Sequence, residues 1–230
     1  RETGAPRVAV LGWSMGSMIT IAHIERSGGD DIAGFVSVAG PVVMDEPYHP
    51  TIAFARDHPA LIKAWMATAN LKGMAAVAQF FPGLSKGGGL MFNPDNVDNE
   101  VVSSLFAHAV DNVTWATFDQ LHRFLERGRF VSRDESVDYA ARLGEIRTPT
   151  LVIGGSLDQI CRPSASRYLY RNLGSSKKTL KIMGRAEGAL ADYGHTDILL
   201  ARTSQEDVYP EIHQWLVDHA RPVRRMADAR

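Results

Sequence analysis

The hydrophobic positions at the start of the chain come in short apolar runs separated by a helical stretch. Residues 7–12 form a run with valine at positions 8 and 10, preceded by the turn-prone residues 3–6. A run of that length and composition predicts a strand buried on both faces. Residues 14–25 follow at once with helical length and spacing, and Gly28 and Gly29 supply the stop. A second buried strand is predicted over residues 32–39. Strand, helix and strand joined by short links read as a βαβ unit, and therefore as a parallel sheet.

From about residue 45 to 146 the strand pattern stops and helical stretches take over, at 59–71, 73–80, 99–110, 114–128 and 136–143. Breakers separate them, at 81–83 (Phe-Pro-Gly) and 86–89 (Lys-Gly-Gly-Gly). The sheet pattern resumes at 150–154 and again at 179–183. A final amphipathic helix is predicted over about 205–219, with Val208, Ile212, Trp215 and Leu216 on one face. The expected organisation is a core segment at 1–44, a helical insertion at 45–146, core again at 147–220 and a tail at 221–230. There is no internal repeat and no low-complexity stretch.

Composition narrows the partners. The 230 residues are 45% hydrophobic and 22% charged with a net charge of -1, as in an ordinary globular protein. Such a balance argues against nucleic acid or an anionic membrane as the main partner, because phosphate binding needs a concentrated positive field. The one basic cluster, Arg221 to Arg225, reads as a solvated helix end. A lone cysteine, Cys161, cannot form an internal disulfide, which favours a reducing, cytoplasmic compartment. No apolar run approaches the roughly 20 residues that span a bilayer. The chain opens with Arg1, so the lack of a signal peptide carries little weight.

The chemistry concentrates at Gly12-Trp13-Ser14-Met15-Gly16, a G-x-S-x-G pattern between the first predicted strand and the first predicted helix. A sharp strand-to-helix turn strains the central serine and lifts its hydroxyl above the sheet edge. Neighbouring backbone then crowds the positions two before and two after, which suits glycine at both. The helix start leaves backbone N–H groups free, making the Met15 N–H an oxyanion-hole donor. A serine nucleophile needs a base, and the base an orienting carboxylate, in the chain order serine, acid, histidine. Asp158 follows the strand at 150–154, and His195 follows the last strand, just before the terminal helix.

These features resemble the α/β-hydrolase superfamily, particularly its capped lipase-like and esterase-like members. The resemblance covers residues 7–39 and 148–219 closely, and the helical insertion by position. It implies a partial α/β-hydrolase fold, with a mostly parallel sheet starting at the elbow strand and a helical cap. It also implies that the segment 155–163 carries the triad acid, Asp158, and that Gly194-His195 is the histidine motif. Ser17 stands where the family often has a further glycine. The alternative acid is Asp45, after the second strand.

The remaining residues have plainer readings. His23, His108, His122 and His213 fall inside predicted helices and read as surface or packing residues, while His49 and His58 at most line a substrate entrance. Cys161 reads as a loop thiol, and Asp192 and Asp197 as loop and helix-cap residues. No metal-ligand spacing is present, so neither a metal nor any cofactor is implied. Trp13, beside the nucleophile, is expected to contact substrate. Trp65, Phe80, Phe81, Met91, Phe92, Trp115 and Phe118 are expected either to line an acyl pocket or to pack the cap itself. The glycines at 87–89 are expected to let the cap move.

The expected activity is acyl transfer to water from a small ester-like substrate, through an acyl-enzyme on Ser14. An acyltransferase would use the same residues. A ligand receptor of the same fold would not need an intact Ser, Asp and His set, and relatives with dehalogenase or epoxide-hydrolase chemistry carry Asp where Ser14 stands. The elbow strand begins at residue 7, whereas this fold has several strands before it, one of them followed by the loop with the second oxyanion donor. An N-terminal segment of the same fold, on a separate chain or elsewhere in a longer one, is therefore an expected partner.

Overall fold

The computed structural model describes residues 5–44, 47–68, 70–81 and 89–219. Asp45, the glycines at 87 and 88 and the basic cluster at 221–225 lie outside the described residues. Strands β1 (Val8–Trp13), β2 (Ile32–Val38), β3 (Thr150–Gly155) and β4 (Lys178–Met183) lie side by side in that order, each pair parallel. Alternation along the central strands sends Val36, Val38, Leu151 and Ile153 to one face, against Val208, Ile212 and Trp215 of α10 (Ser204–His219). It sends Phe35 and Val152 to the other, against Ile21 and Ile24 of α1 (Met15–Ser27) and Leu169 of α8 (Pro163–Asn172). Both faces are covered, so β2 and β3 are nearly continuous in apolar residues. Each side chain so buried contributes roughly 1.5–3 kcal/mol.

β1 departs from the expected burial on both faces. Val8 is 53% exposed and Leu11 46%, because β1 is the outermost strand and only β2 pairs with it among the described residues. An apolar run reports that a strand can be buried, not that cover is present.

Between β2 and β3 the chain forms α2 (Pro50–Asp57), α3 (Pro59–Thr68), α4 (Leu71–Ala78), α5 (Asn99–His108), α6 (Trp115–Arg127) and the short α7 (Tyr139–Arg142). α6 begins where Thr114 caps the Thr117 N–H and ends at Gly128, whose φ of 64° is left-handed. α2 is absent from the sequence prediction because it buries no residue fully and so has no core-facing stripe. Its start is nonetheless set locally: Pro50 occupies the first turn, and the His49 ring accepts the Thr51 N–H. A further short helix, α9 (Asp197–Leu200), precedes α10. Among the described residues, no helix is long and apolar enough to cross a membrane.

The joint between β1 and α1 is a close backbone approach. A Cβ at Gly12 would sit 2.7 Å from both the N and the Cα of Ser17. At Gly16, by contrast, a Cβ meets nothing within 4 Å among the described residues, so crowding on both sides of the serine is corrected to crowding on one. Ser17 is fully buried, its hydroxyl 2.6 Å from that of Ser37 on β2. A glycine there would leave the Ser37 hydroxyl without this partner. We expect Gly12→Ala to cost about 1–3 kcal/mol in urea unfolding by overpacking, and Gly16→Ala to be nearly neutral; equal costs would contradict this asymmetry.

Glu25, on α1, has both carboxylate oxygens buried with no hydrogen-bond donor among the described residues. Burial pushes this carboxyl up to about 7; the Arg142 guanidinium opposes the shift, and Glu145 and Asp138 add to it. The unfolded chain releases this proton in the ordinary carboxylate range, the folded chain only near 7. Between those values the folded state holds the extra proton, so stability falls as pH rises and levels off above about 7. Replacing the group with a neutral amide, Glu25→Gln, should shrink the difference in urea midpoint between pH 5 and pH 8; an unchanged difference would show that Glu25 ionises like an exposed acid.

Candidate active site

Ser14 sits between β1 and α1 with φ 53° and ψ -118°, a left-handed conformation that a non-glycine residue holds only when its surroundings impose it. Its own N–H donates to the Val38 carbonyl at the end of β2 (2.9 Å), locking the turn to the sheet. The Ser14 Oγ then lies 2.7 Å from His195 Nε2, and His195 Nδ1 lies 2.9 Å from Asp158 Oδ2. These three residues come from the joints after β1, β4 and β3, so parallel strands converge them at their carboxyl ends.

The hydrogen-bond order follows from the acceptors. Asp158 Oδ1 accepts N–H groups from Ile160 and Cys161, both at 2.8 Å, which turns Oδ2 toward His195. A carboxylate only accepts, so His195 Nδ1 carries the proton and Nε2 presents its lone pair to the serine hydroxyl. Asp158 and His195 are both buried, which keeps water from competing for these bonds. Met15 opens α1, and its N–H is one of the orphan donors of a helix start, suited to an oxyanion formed beside Ser14. The arrangement can remove the Ser14 proton, and it can hold the imidazolium that results.

Trp13 is placed otherwise than expected. It does not line the cavity beside Ser14; its ring packs against the core under α10, and its indole N–H donates to the His195 carbonyl at 3.2 Å. Successive residues of a strand point to opposite sides, so adjacency to the nucleophile puts Trp13 beneath it.

The cavity holds about 420 Å³ and is bounded by Ser14 and His195 on one side. Its walls are Met15 and Met18 from α1, Ile52 from α2, Phe124 from α6, Met44 and Ile160, with no charged side chain among them. Of the residues expected to line a pocket, Met91 lines this one. Phe92 packs against Val97 and Val102, and Trp115 packs on Phe118 with ring centres 5.2 Å apart. The walls are thus mostly aliphatic and sulfur-containing, and their sequence signal is weak because they are drawn in small groups from separate helices and loops. A larger open cleft of about 890 Å³ runs between α1 and α6, lined by Ile19, Arg26 and Arg123 among others, and Ser14 and His195 do not border it.

The other described histidines have local partners or none at the site. His23 pairs with Asp31, His122 Nε2 lies 3.0 Å from the Arg56 carbonyl, and neither His49 nor His58 lines the cavity. Among the described residues no group of three or more His, Cys, Asp or Glu side chains is placed to hold a metal.

Residues 1–187 match the family described as serine aminopeptidase, S33. No curated protein matches the chain. Its fold is similar to that of a hydrolase from Oleispira antarctica, at 18% identity over 91% of this chain and 65% of that one, with a TM-score of 0.55. It is also similar to a monoacylglycerol lipase from Paleococcus ferrophilus, at 20% identity over 95% of this chain and 71% of that one, TM-score 0.59. A thermophilic esterase from Thermogutta terrifontis matches at 17% identity over 93% and 66%, TM-score 0.53. The chain thus spans less than two thirds of the Oleispira hydrolase. With the parallel sheet, the elbow and the loop order already in place, the family match over most of the chain makes this protein a member of the S33 serine aminopeptidase family within the α/β-hydrolase superfamily.

Proposed function

We propose that this chain is the nucleophile-bearing part of a serine hydrolase that cleaves a carboxylic ester-like bond in a small, neutral, apolar substrate. The observation that carries the reading is the continuous line from Asp158 through His195 to Ser14, ending at the wall of an uncharged cavity. His195 Nε2 takes the hydroxyl proton as Ser14 Oγ attacks the carbonyl, and Asp158 holds the tautomer and the imidazolium. The Met15 N–H faces the charge that develops on the carbonyl oxygen. His195 returns the proton to the leaving alcohol. It then deprotonates a water that breaks the acyl-enzyme, restoring the Ser14 hydroxyl. Helices α2 and α6 of the insertion supply the outer walls and so serve as a cap.

The cavity lining favours an ester over a peptide amino terminus. An α-ammonium group desolvated there would need an anionic partner, and among the described residues no carboxylate lines the walls. An uncharged ester loses far less hydration on entering. The lipase and the esterase among the similar structures are in keeping with this reading.

A fluorophosphonate probe should label Ser14, and Ser14→Ala should lower hydrolysis of a p-nitrophenyl ester by about 10⁴–10⁶-fold. Turnover unchanged in that variant would remove Ser14 from the mechanism. Adding an alcohol to the assay separates hydrolysis from acyl transfer by the product formed.

We further propose that a segment of the same fold, outside these residues, packs on the outer edge of β1. Exposed Val8 and Leu11 on β1, and Ile19 of α1 at 61% exposure, form the surface it would cover. That segment would bring the second oxyanion donor, whose loss typically lowers the rate by roughly 10²–10³-fold. Supplying the upstream sequence should therefore raise turnover by about that factor. A chain that is already monomeric, cooperatively folded and fully active by itself would overturn the idea.

A further inference from the structure

The loop that carries His195 is held by more than its bond to Asp158. Two residues further on, Asp197 is fully buried at 0% exposure in the first turn of α9. Its Oδ1 accepts the Gly194 N–H (3.0 Å) and the Asn93 N–H (3.0 Å), and its Oδ2 accepts Asn96 Nδ2–H (2.7 Å) and shares the Gly194 N–H (3.1 Å). Asn93 and Asn96 belong to the insertion, about a hundred positions earlier in the chain. Every donor is an amide and none is a cation, so the carboxylate is buried without the compensation of an opposite charge. Desolvation raises its pKa, and the three amide partners oppose that rise. A helix cap does not require such burial, and the sequence reading of Asp197 as a cap residue understates its contacts.

The same two segments are stitched together around His195. The Thr196 N–H donates to the Met91 carbonyl at 2.8 Å, and the Asp192 carbonyl accepts the side-chain N–H groups of Asn93 and Asn96, both at 2.7 Å. Gly194 fits flush, since a Cβ there would lie 2.7 Å from Asp197 Oδ1 and 2.9 Å from Asn93 N. The residues before and after His195 are thereby tied to the stretch that begins at Met91, a wall of the cavity. The His195 carbonyl is meanwhile tied to Trp13.

We propose that Asp197 is a positioning residue that fixes the His195 backbone and, through Asn93 and Asn96, sets one wall of the substrate cavity to the same register. The imidazole and the Met91 wall then move together or not at all. Shifting the insertion at this end strands a buried carboxylate, so this edge of the cap is pinned while α2 and α6 close the opposite side. The inference rests on the hydrolase reading above, because it assigns His195 the proton transfer.

The test uses the full 230-residue chain. Asp197→Asn conserves volume but turns an amide N–H₂ toward amide donors. It should slow fluorophosphonate labelling of Ser14 by about 10–100-fold, as expected for a small misplacement of a reacting group. With a p-nitrophenyl ester it should lower kcat and raise KM together. Asn96→Ala cuts only the insertion side, and should raise KM several-fold with a smaller change in kcat. The downfield proton resonance of His195 Nδ1–H should shift or broaden in Asp197→Asn, a readout that needs no substrate. A variant that melts earlier, yet keeps the wild-type labelling rate, kcat, KM and His195 resonance, would make Asp197 a stability residue and overturn the proposal. Should Asp197→Asn fail to fold, an unchanged KM in Asn96→Ala overturns it equally. If wild-type Ser14 does not label, the hydrolase reading fails, and the His195 resonance still decides whether Asp197 positions the ring.

Discussion

The backbone at Ser14 cannot relax, and most of the site follows from that. β1 must turn into α1 within one residue, and the approach of Gly12 to the Ser17 backbone leaves no room for a gentler path. A residue held at φ 53° costs on the order of 1–3 kcal/mol. Against it stand the fully buried Ile21 and Ile24 of α1, each stabilising by roughly 1.5–3 kcal/mol, and the Ser14 N–H bond to Val38. Burial wins, and the turn persists because unwinding it would pull α1 off the sheet. The strained conformation then does two things at once. It lifts the hydroxyl to the carboxyl edge of the sheet, and it starts a helix whose free N–H groups face the same space.

That edge is also where the loops after β3 and β4 emerge, so a parallel sheet brings Asp158 and His195 to Ser14 with no further device. The loops themselves need support, and they receive it in different ways. The Asp158 loop is local: its carboxylate is aimed by the N–H groups of Ile160 and Cys161, two and three residues on. The His195 loop is held from afar, by Trp13 on β1 and by Asn93 and Asn96 in the insertion. Reactive geometry therefore depends on the insertion as well as on the sheet.

This difference explains what was legible in the sequence. β2, β3 and α10 read clearly because both faces of the central strands and one stripe of the helix are apolar in the chain itself. The meeting of Ser14, Asp158 and His195 was legible because each follows a strand, and a parallel sheet brings its strand ends together. The exposure of β1 was not legible in its own residues, which carry the pattern of a covered strand; only its place at the sheet edge implied it. Nor was the role of Trp13, because adjacency along a strand places a side chain on the opposite side. The cavity walls escaped as well: Ile52 and Phe124 lie on helices whose facing is decided by packing, and Asp197 looks like any acid at a helix start. Contacts that follow from strand order were readable; those that tie the His195 loop to the insertion were not.

A rigid reacting end and a compliant cavity make different demands on side chains, and Met15 meets both. Its N–H belongs to the fixed helix start, while its side chain joins Met18, Met44 and Met91 in the walls. Methionine is unbranched and polarisable, and it repacks around varied shapes at small cost. On the hydrolase reading, the carbonyl is held to a narrow geometry by hydrogen bonds, whereas the apolar group is held by surfaces that can adjust. Discrimination between substrates then falls on charge more than on shape: a charged group loses its hydration and finds no partner, while one methylene more or less changes binding by only about 1–3 kcal/mol. Among the described residues no wall carries a charge, and on the hydrolase reading that excludes more substrates than the outline of the cavity does.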